Sequence, residues 1–435
     1  MKKNRTIYFL LALVCLGLQS CLFQEEDYFD DSSANRATAD VKRCSELLEA
    51  APNGWVMEYY VGKDYSLGGI TLLCKFDGQR VTMASQIAGA DETVSSLYSV
   101  KSEQATMLSF DTYNYLVHYF GQPQGSMADD PNGTLGGDYE FVISDATADR
   151  IELKGKKYGN RIVMKAFSAD QTWKQYLTRI KKVENDAFFY EYDLRMDGLY
   201  TGQMLRSNYT FIVTYYDEVG KVHQKTVPFM FTTGGMRFHE PVTIDGQTMQ
   251  NFVWKNEEIS FVCTDEGATG VKMKGIYIDG YQSYDYYPGT YLMDFYRLNG
   301  ATNQLEVASQ EIQLVKNEDG KSYWLKGLEY DILVTYDKPR GGLSILPQFL
   351  KKVQGGYVYL AMWDLMNDYV LRSSAIGLIS YPTTDGIYLV DNGVWIGEIS
   401  GFIFGVYNSQ DEEASFMGYT DAVAAIRLVK KTIEE

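Results

Sequence analysis

Ile70-Thr71-Leu72-Leu73-Cys74-Lys75-Phe76-Asp77-Gly78-Gln79-Arg80-Val81-Thr82-Met83-Ala84 is the stretch that decides the fold. Two runs rich in β-branched, aromatic and other apolar residues flank Asp77-Gly78, a dipeptide suited to the positive φ angles of a two-residue hairpin turn. The segment reads as two antiparallel strands. The same punctuation returns at Asn132-Gly133, Asp197-Gly198, Asp245-Gly246, Asp279-Gly280, Asn299-Gly300, Asp319-Gly320, Asp385-Gly386 and Asn392-Gly393. Strand-like runs lie between these turns, at 139–144, 161–167, 209–216, 330–336, 356–363 and 399–407. So many hairpin signals predict antiparallel sheets, and a composition of 35 Tyr and 21 Phe against 9 Pro agrees.

Two segments break the strand pattern. Val41, Cys44, Leu47 and Leu48 recur at helical spacing within 37–50, closed by Asn53-Gly54. Trp173, Tyr176, Leu177, Ile180 and Val183 share one face of a second helix, for which Ser168 or Asp170 is the expected cap. A chain of 435 residues exceeds one compact core. The expected fold is therefore mainly β. It has two antiparallel β-rich lobes, sandwich or barrel-like, over 36–168 and 169–435, with one short N-terminal helix and one helix near the lobe boundary.

The amino terminus carries an address. Met1-Lys2-Lys3-Asn4-Arg5 precedes an apolar run over 7–18 that is too short to span a bilayer, which is the form of a secretory leader. Leu18-Gln19-Ser20-Cys21 resembles the bacterial lipobox, which implies cleavage after residue 20 and lipid on Cys21. Residues 21–35 read as a flexible tether. Within it, Glu25-Glu26-Asp27 resembles the acidic surface-export signal of Bacteroidota lipoproteins, so the outer membrane, facing outward, is the expected location. Loss of Lys2, Lys3 and Arg5 with the leader takes the formal charge from −17 to −20. Nucleic acid is an unsuitable partner for such a chain. Of the five cysteines, Cys15 leaves with the leader and Cys21 takes lipid, leaving Cys44, Cys74 and Cys263. An odd number argues against a disulfide framework and favours three buried thiols, although one bridge between Cys44 and Cys74 is open to an exported chain.

Further phrases accumulate along the chain: Asn53-Gly54-Trp55 with Tyr59-Tyr60, Gly68-Gly69 leading into Lys75-Phe76, Leu108-Ser109-Phe110-Asp111, Tyr139-Glu140-Phe141 and Leu153-Lys154-Gly155-Lys156. A second group holds Gly234-Gly235-Met236-Arg237-Phe238 with Glu240-Pro241, and later Gln348. Their order resembles a family of Bacteroidota lipoproteins catalogued only as a domain of unknown function. What the resemblance implies is context, a gene neighbourhood of outer-membrane nutrient importers and their surface lipoproteins, and it brings no catalytic residues.

Chemistry is sparse in the sequence. The histidines are His118, His223 and His239, without the spacing of a zinc site, so no metal and no cofactor is expected. Gly320-Lys321-Ser322 resembles the end of a phosphate loop, but Val315 stands where the leading glycine belongs. No nucleophile elbow is present. The candidate ligand-binding residues are Tyr281, Tyr284, Tyr286 and Tyr287, interleaved with Asp279 and Asp285, because aromatic faces beside acids suit sugar rings or a protein partner. Alternating tyrosine is also what a packed sheet requires. The expected function is a non-enzymatic, lipid-anchored surface protein that binds a glycan or peptide ligand, or a partner such as an outer-membrane importer. The alternatives are a glycan or peptide hydrolase and a structural or adhesive surface protein.

Overall fold

A computed structural model of the chain describes residues 32–123, 133–217, 219–411 and 413–431. Cys21, the leader and nearly all of the tether lie outside them. The chain is mainly β, as its turns and strand runs predict. The first sheet is a closed antiparallel barrel of β1 (Trp55–Val61), β2 (Gly68–Asp77), β3 (Arg80–Ser85), β4 (Val94–Ser102), β5 (Thr106–Phe110), β6 (Glu140–Ala146), β7 (Arg150–Gly155) and β8 (Arg161–Ala166). The quoted hairpin is β2–β3, in which Cys74 faces Met83 and Asp77 faces Arg80, so the turn is Gly78-Gln79 rather than Asp77-Gly78, with Gly78 alone at positive φ. β1 closes the ring by pairing with β8, Trp55 opposite Ala166 and Met57 opposite Met164. Alternation sends Trp55, Met57, Tyr59, Leu72 and Cys74 into the interior, where all are fully buried. Each large apolar side chain so removed from water contributes about 1.5–3 kcal/mol.

The first helix, α1 (Ser33–Ala50), begins inside the stretch read from sequence as tether, because Ser32 accepts a hydrogen bond from the Asn35 amide and caps it. Its Cys44 and Leu48 join the barrel core, and the Trp55 Nε1 donates to the Leu48 carbonyl at 2.9 Å. A four-residue helix, α2 (Tyr115–His118), was not anticipated as one; Asn114 caps it through the Leu116 amide. The third, α3 (Trp173–Asp186), is capped neither by Ser168 nor by Asp170. Thr172 and Gln175 bond each other's amides reciprocally, a capping box. Leu177 of α3 packs with Leu73, Ala84 and Phe167, which ties this helix to the first barrel.

The second sheet is also a closed barrel, in the order β10-β11-β12-β13-β14-β15-β16-β9. Its strands are β9 (Glu191–Met196), β10 (Leu199–Ser207), β11 (Thr210–Tyr216), β12 (Val222–Phe231), β13 (Gly235–Ile244), β14 (Gln247–Lys255), β15 (Ser260–Cys263) and β16 (Val271–Ile276). At the Asp197-Gly198 and Asp245-Gly246 turns both residues have positive φ, as a type I′ hairpin demands. The third sheet holds β17 (Gly289–Asn299), β18 (Gln304–Lys316), β19 (Ser322–Lys326), β20 (Ile332–Asp337), β21 (Gly342–Ile345), β22 (Gln348–Val353), β23 (Gly356–Asp364), β24 (Tyr369–Leu371), β25 (Leu378–Thr383), β26 (Gly386–Asp391), β27 (Gly401–Tyr407) and β28 (Phe416–Lys430). Among the described residues its path runs from β17 to β22, with β24 on β23 and an additional β17–β28 pairing.

Two compact units result. One holds residues up to Asp186 with Met196–Leu199 and Ser207–Lys272; the other holds Ala187–Arg195, Tyr200–Arg206 and residues from Met273 onward. The sequence reading sets the division at 168/169, before α3, whereas contacts leave that helix in the first unit. Cys44, Cys74 and Cys263 are all buried free thiols.

Candidate functional site

The first unit carries a cleft of about 560 Å³. It is built from side chains on the outward-facing positions of β1, β7, β8 and β13, the positions that barrel alternation leaves out of the interior. On β1, Glu58 and Tyr60 point away from the core that Met57 and Tyr59 fill. On β13, Arg237 and His239 alternate with buried Met236 and Phe238.

Three rings form the aromatic wall. The His239 imidazole lies 4.2 Å from the centroids of both Tyr60 and Tyr65, tilted 49° and 57°, while the two tyrosines meet edge to face at 6.1 Å. Each partner needs special backbone. Tyr60 faces Gly69 in the β1–β2 register, and a Cβ at residue 69 would fall 2.7 Å from the Tyr60 ring. Tyr65 sits at φ +60 directly after Asp64 at φ +54, two successive left-handed residues that are neither Gly nor Asn. Such conformations cost of order 1–3 kcal/mol each and cluster at functional sites. Tyr65, His239 and Glu240 also line a smaller cavity of about 190 Å³, together with Lys225, Pro228 and Val242.

Beside the rings sits a buried ionic group. The Glu58 carboxylate accepts from Arg237 at 2.6 Å and from Lys165 at 2.8 Å, with only 14% of its side chain exposed. Burial pulls the Glu58 carboxyl upward, but the charges and hydrogen bonds of Arg237 and Lys165 outweigh it and hold the group below its ordinary value. Glu58 is therefore a fixed anion, unsuited to giving a proton. Burial lowers the His239 pKa, opposed by Glu240 and reinforced by Arg237 and Arg161, so the imidazole is neutral near neutral pH and can both donate and accept. The Tyr60 hydroxyl is buried beside the Arg237 guanidinium, whose charge opposes the upward pull of burial on its pKa, and among the described residues it has no well-aligned hydrogen-bond partner. Around the rim, Glu152 pairs with Arg150 at 2.9 Å and with Arg161 at 3.8 Å, and Lys154 and Glu240 complete the lining. Aromatic faces edged by fixed charges match a polar ligand that also offers an apolar face. No group of three His, Cys, Asp or Glu among the described residues is placed to hold a metal.

The sequence-predicted tyrosines lie elsewhere, in the second unit, and form a packed cluster around Tyr336. Tyr287 is fully buried and its hydroxyl donates to the Gly341 carbonyl at 2.8 Å. Tyr284 stacks on buried Tyr323 at 4.7 Å and donates to the Ser322 carbonyl. Tyr281 shares a hydroxyl contact of 3.1 Å with Tyr336. Tyr286 keeps an exposed ring, with the Lys430 ammonium 5.1 Å from its centroid. The hydroxyls of Tyr284 and Tyr287 are spent on backbone carbonyls and that of Tyr281 on Tyr336, so the four do not make one open face. The cleft residues went unsingled in the sequence, although a trace was there: Tyr60, Lys154, Arg237 and Glu240 all belong to the phrases on which the family resemblance rests.

A second aromatic surface lies in the second unit, beside a cavity of about 520 Å³ edged by Gln348, Phe349, Tyr359 and Arg372. The Arg372 guanidinium covers the rings of Tyr359 and Tyr407 at 4.8 and 4.2 Å.

Comparison with known proteins adds a family and little else. No curated protein matches. Intact Ap-TbpB, with its N and C lobes, matches at 10% identity and a TM-score of 0.14, over 87% of this chain and 76% of that one. A protein of unknown function from the DUF3598 family of Nostoc punctiforme PCC 73102 matches at 8% identity and a TM-score of 0.15, over 57% of this chain and 99% of that one. Likenesses this low bear on neither fold nor function. Residues 264–390 match the model of a domain of unknown function, DUF4987. Residues 25–256, more than half of the chain, match that of another, and the chain belongs to this family, the domain of unknown function DUF4302.

Proposed function

We propose that the protein is a non-enzymatic ligand-binding lipoprotein, held by lipid on Cys21 at the outward face of a Bacteroidota outer membrane, and an accessory to nutrient uptake there. Its binding site is the cleft of the first unit. The observation that carries this reading is the Tyr60–His239–Tyr65 wall beside the ion-paired Glu58, held by two left-handed residues and a glycine that leaves no room for a side chain. A pyranose ring or a peptide side chain offers the matching combination of apolar face and hydroxyl or amide edge. Binding is favoured over hydrolysis because Glu58, the carboxylate beside the rings, has both oxygens engaged and its pKa lowered.

Two measurements test the reading. Protease added to intact cells should remove the protein; survival of the full chain until lysis would refute the outward location. Calorimetric titration with a panel of oligosaccharides and short peptides should yield a ligand whose binding is lost in Tyr65→Ala. Binding that persists in that variant would place the site elsewhere.

A further inference from the structure

In the second unit, the loop after β23 and the loop after β26 are clasped together. The Asp364 carboxylate is fully buried and accepts from the Trp395 Nε1 at 2.9 Å, from the Asn367 amide at 3.1 Å and from the Asn367 side chain at 2.9 Å. Gly397 makes room for this arrangement, since a Cβ there would fall 2.2 Å from Asp364 Oδ2 and 2.7 Å from the Trp395 nitrogen. Asp391 accepts from the Gly393 and Ile399 amides, and Asn392 donates to the Ala375 carbonyl at 2.8 Å. Tyr369 meets the Trp395 ring edge to face at 5.7 Å.

This rigid clasp presents apolar side chains to water. Ile396 is 96% exposed and Met366 82%, with Val394 and Tyr369 more than half exposed beside them. Loop tips are ordinarily polar, so four large apolar residues on one pinned pair of loops form an interaction surface rather than a packing remnant. Pre-ordered loops also lose little conformational freedom on docking.

Charge identifies the occupant. Within the two loops themselves, 364–371 and 391–399, the sequence has no Lys or Arg, while Asp368, Asp391 and Glu398 fall in them, Asp368 and Glu398 exposed beside Met366 and Ile396. An anionic lipid surface is repelled by such a field. A second copy brings the same acids. We infer that the Met366–Ile396 clasp is a docking knob for a protein partner whose surface holds an apolar pocket bordered by Lys and Arg. The inference rests on the reading of the chain as an accessory with a protein partner, and it is independent of what the cleft binds.

The test places a photo-crosslinking amino acid at position 366, at 396 or, as a control, at Val307, which is 79% exposed, in the full-length chain in its own cells. One and the same protein adduct is expected at 366 and 396 and not at 307, mapping to a segment that interleaves basic and apolar residues. With the probe at 366, Ile396→Ser and Glu398→Lys should each lower adduct yield by about tenfold, the scale of a hot-spot truncation. Both leave folding intact by circular dichroism, because neither residue is buried. A protein adduct at 307 but not at the knob overturns this surface while leaving the accessory reading standing. No protein adduct at any position overturns both. Adducts to lipid or to the chain itself, or a yield indifferent to Glu398→Lys, overturn the inference.

Discussion

Replacing Arg237 by Met tests how the cleft is held together. The substitution keeps an unbranched side chain but leaves Glu58 buried with Lys165 as its remaining cation. Removing one partner of a buried ion pair costs about 3–5 kcal/mol, against roughly 0–1 kcal/mol for a pair at the surface. With 14% and 24% of the two side chains exposed, Glu58–Arg237 belongs near the buried limit, and the Lys165 contact at 2.8 Å moderates the loss. The expected cost is about 3 kcal/mol, roughly 6–12 °C in the unfolding temperature of a unit of this size. Its pH dependence follows from the lowered Glu58 pKa. Below both the folded value and the ordinary 4.5 the carboxyl is neutral in either state and Arg237 has no anion to hold, so the wild-type advantage is full above 4.5 and fades as pH falls through the folded value. Thermal unfolding from pH 7 to pH 3, for Arg237→Met, Glu58→Gln and the double variant, measures it. A single-variant cost below about 1 kcal/mol, or an advantage that persists unchanged at pH 3, would refute the picture of a buried, ionised pair. The double variant should cost less than the sum of the singles, by about 1–3 kcal/mol of coupling.

Other outcomes follow from the same geometry. Tyr60→Phe removes a hydroxyl with no well-aligned partner among the described residues, so stability should hold within about 0.5 kcal/mol while affinity for a cleft ligand falls by roughly two- to tenfold; urea unfolding beside calorimetry separates the two effects. The His239 imidazole should titrate below 6.5 by NMR, and stability should decline as pH drops from 6.5 toward that lower value, a slope that His239→Gln abolishes. Trp55→Ala should cost about 3–5 kcal/mol in denaturant unfolding, since the ring is fully buried in the first barrel. A thiol reagent should leave Cys44, Cys74 and Cys263 unmodified in the folded chain and react with all three after unfolding, because burial pushes each thiol upward, Cys263 to about 11.

Local chemistry made part of this fold legible. The 70–84 hairpin, the Asp197-Gly198 and Asp245-Gly246 turns and the apolar face of α3 are each decided within a few residues, and each is present. Ring closure was not readable, because setting Trp55 against Ala166 requires strands far apart in sequence to find each other. The same distance hid the cleft. Tyr60, Arg237 and His239 occupy outward positions on strands nearly 180 residues apart, and nothing near any of them marks an encounter. One hint was available: the Tyr59-Tyr60 doublet breaks alternation by burying both neighbours, which a strand does only when its outer face is covered too. The tyrosine run shows a related limit. Spacing reports ring chemistry but not where a hydroxyl finds its acceptor, and those of Tyr284 and Tyr287 find backbone carbonyls.

In the third sheet β22 pairs along one side, with β23, among the described residues. Open backbone of that kind is a template for recruiting strands from other chains and starting ordered aggregates. Lys351 and Lys352 are both exposed on it, so a second copy approaching in register would press ammonium groups against their like. Two lysines therefore act as a guard against fibril growth along β22.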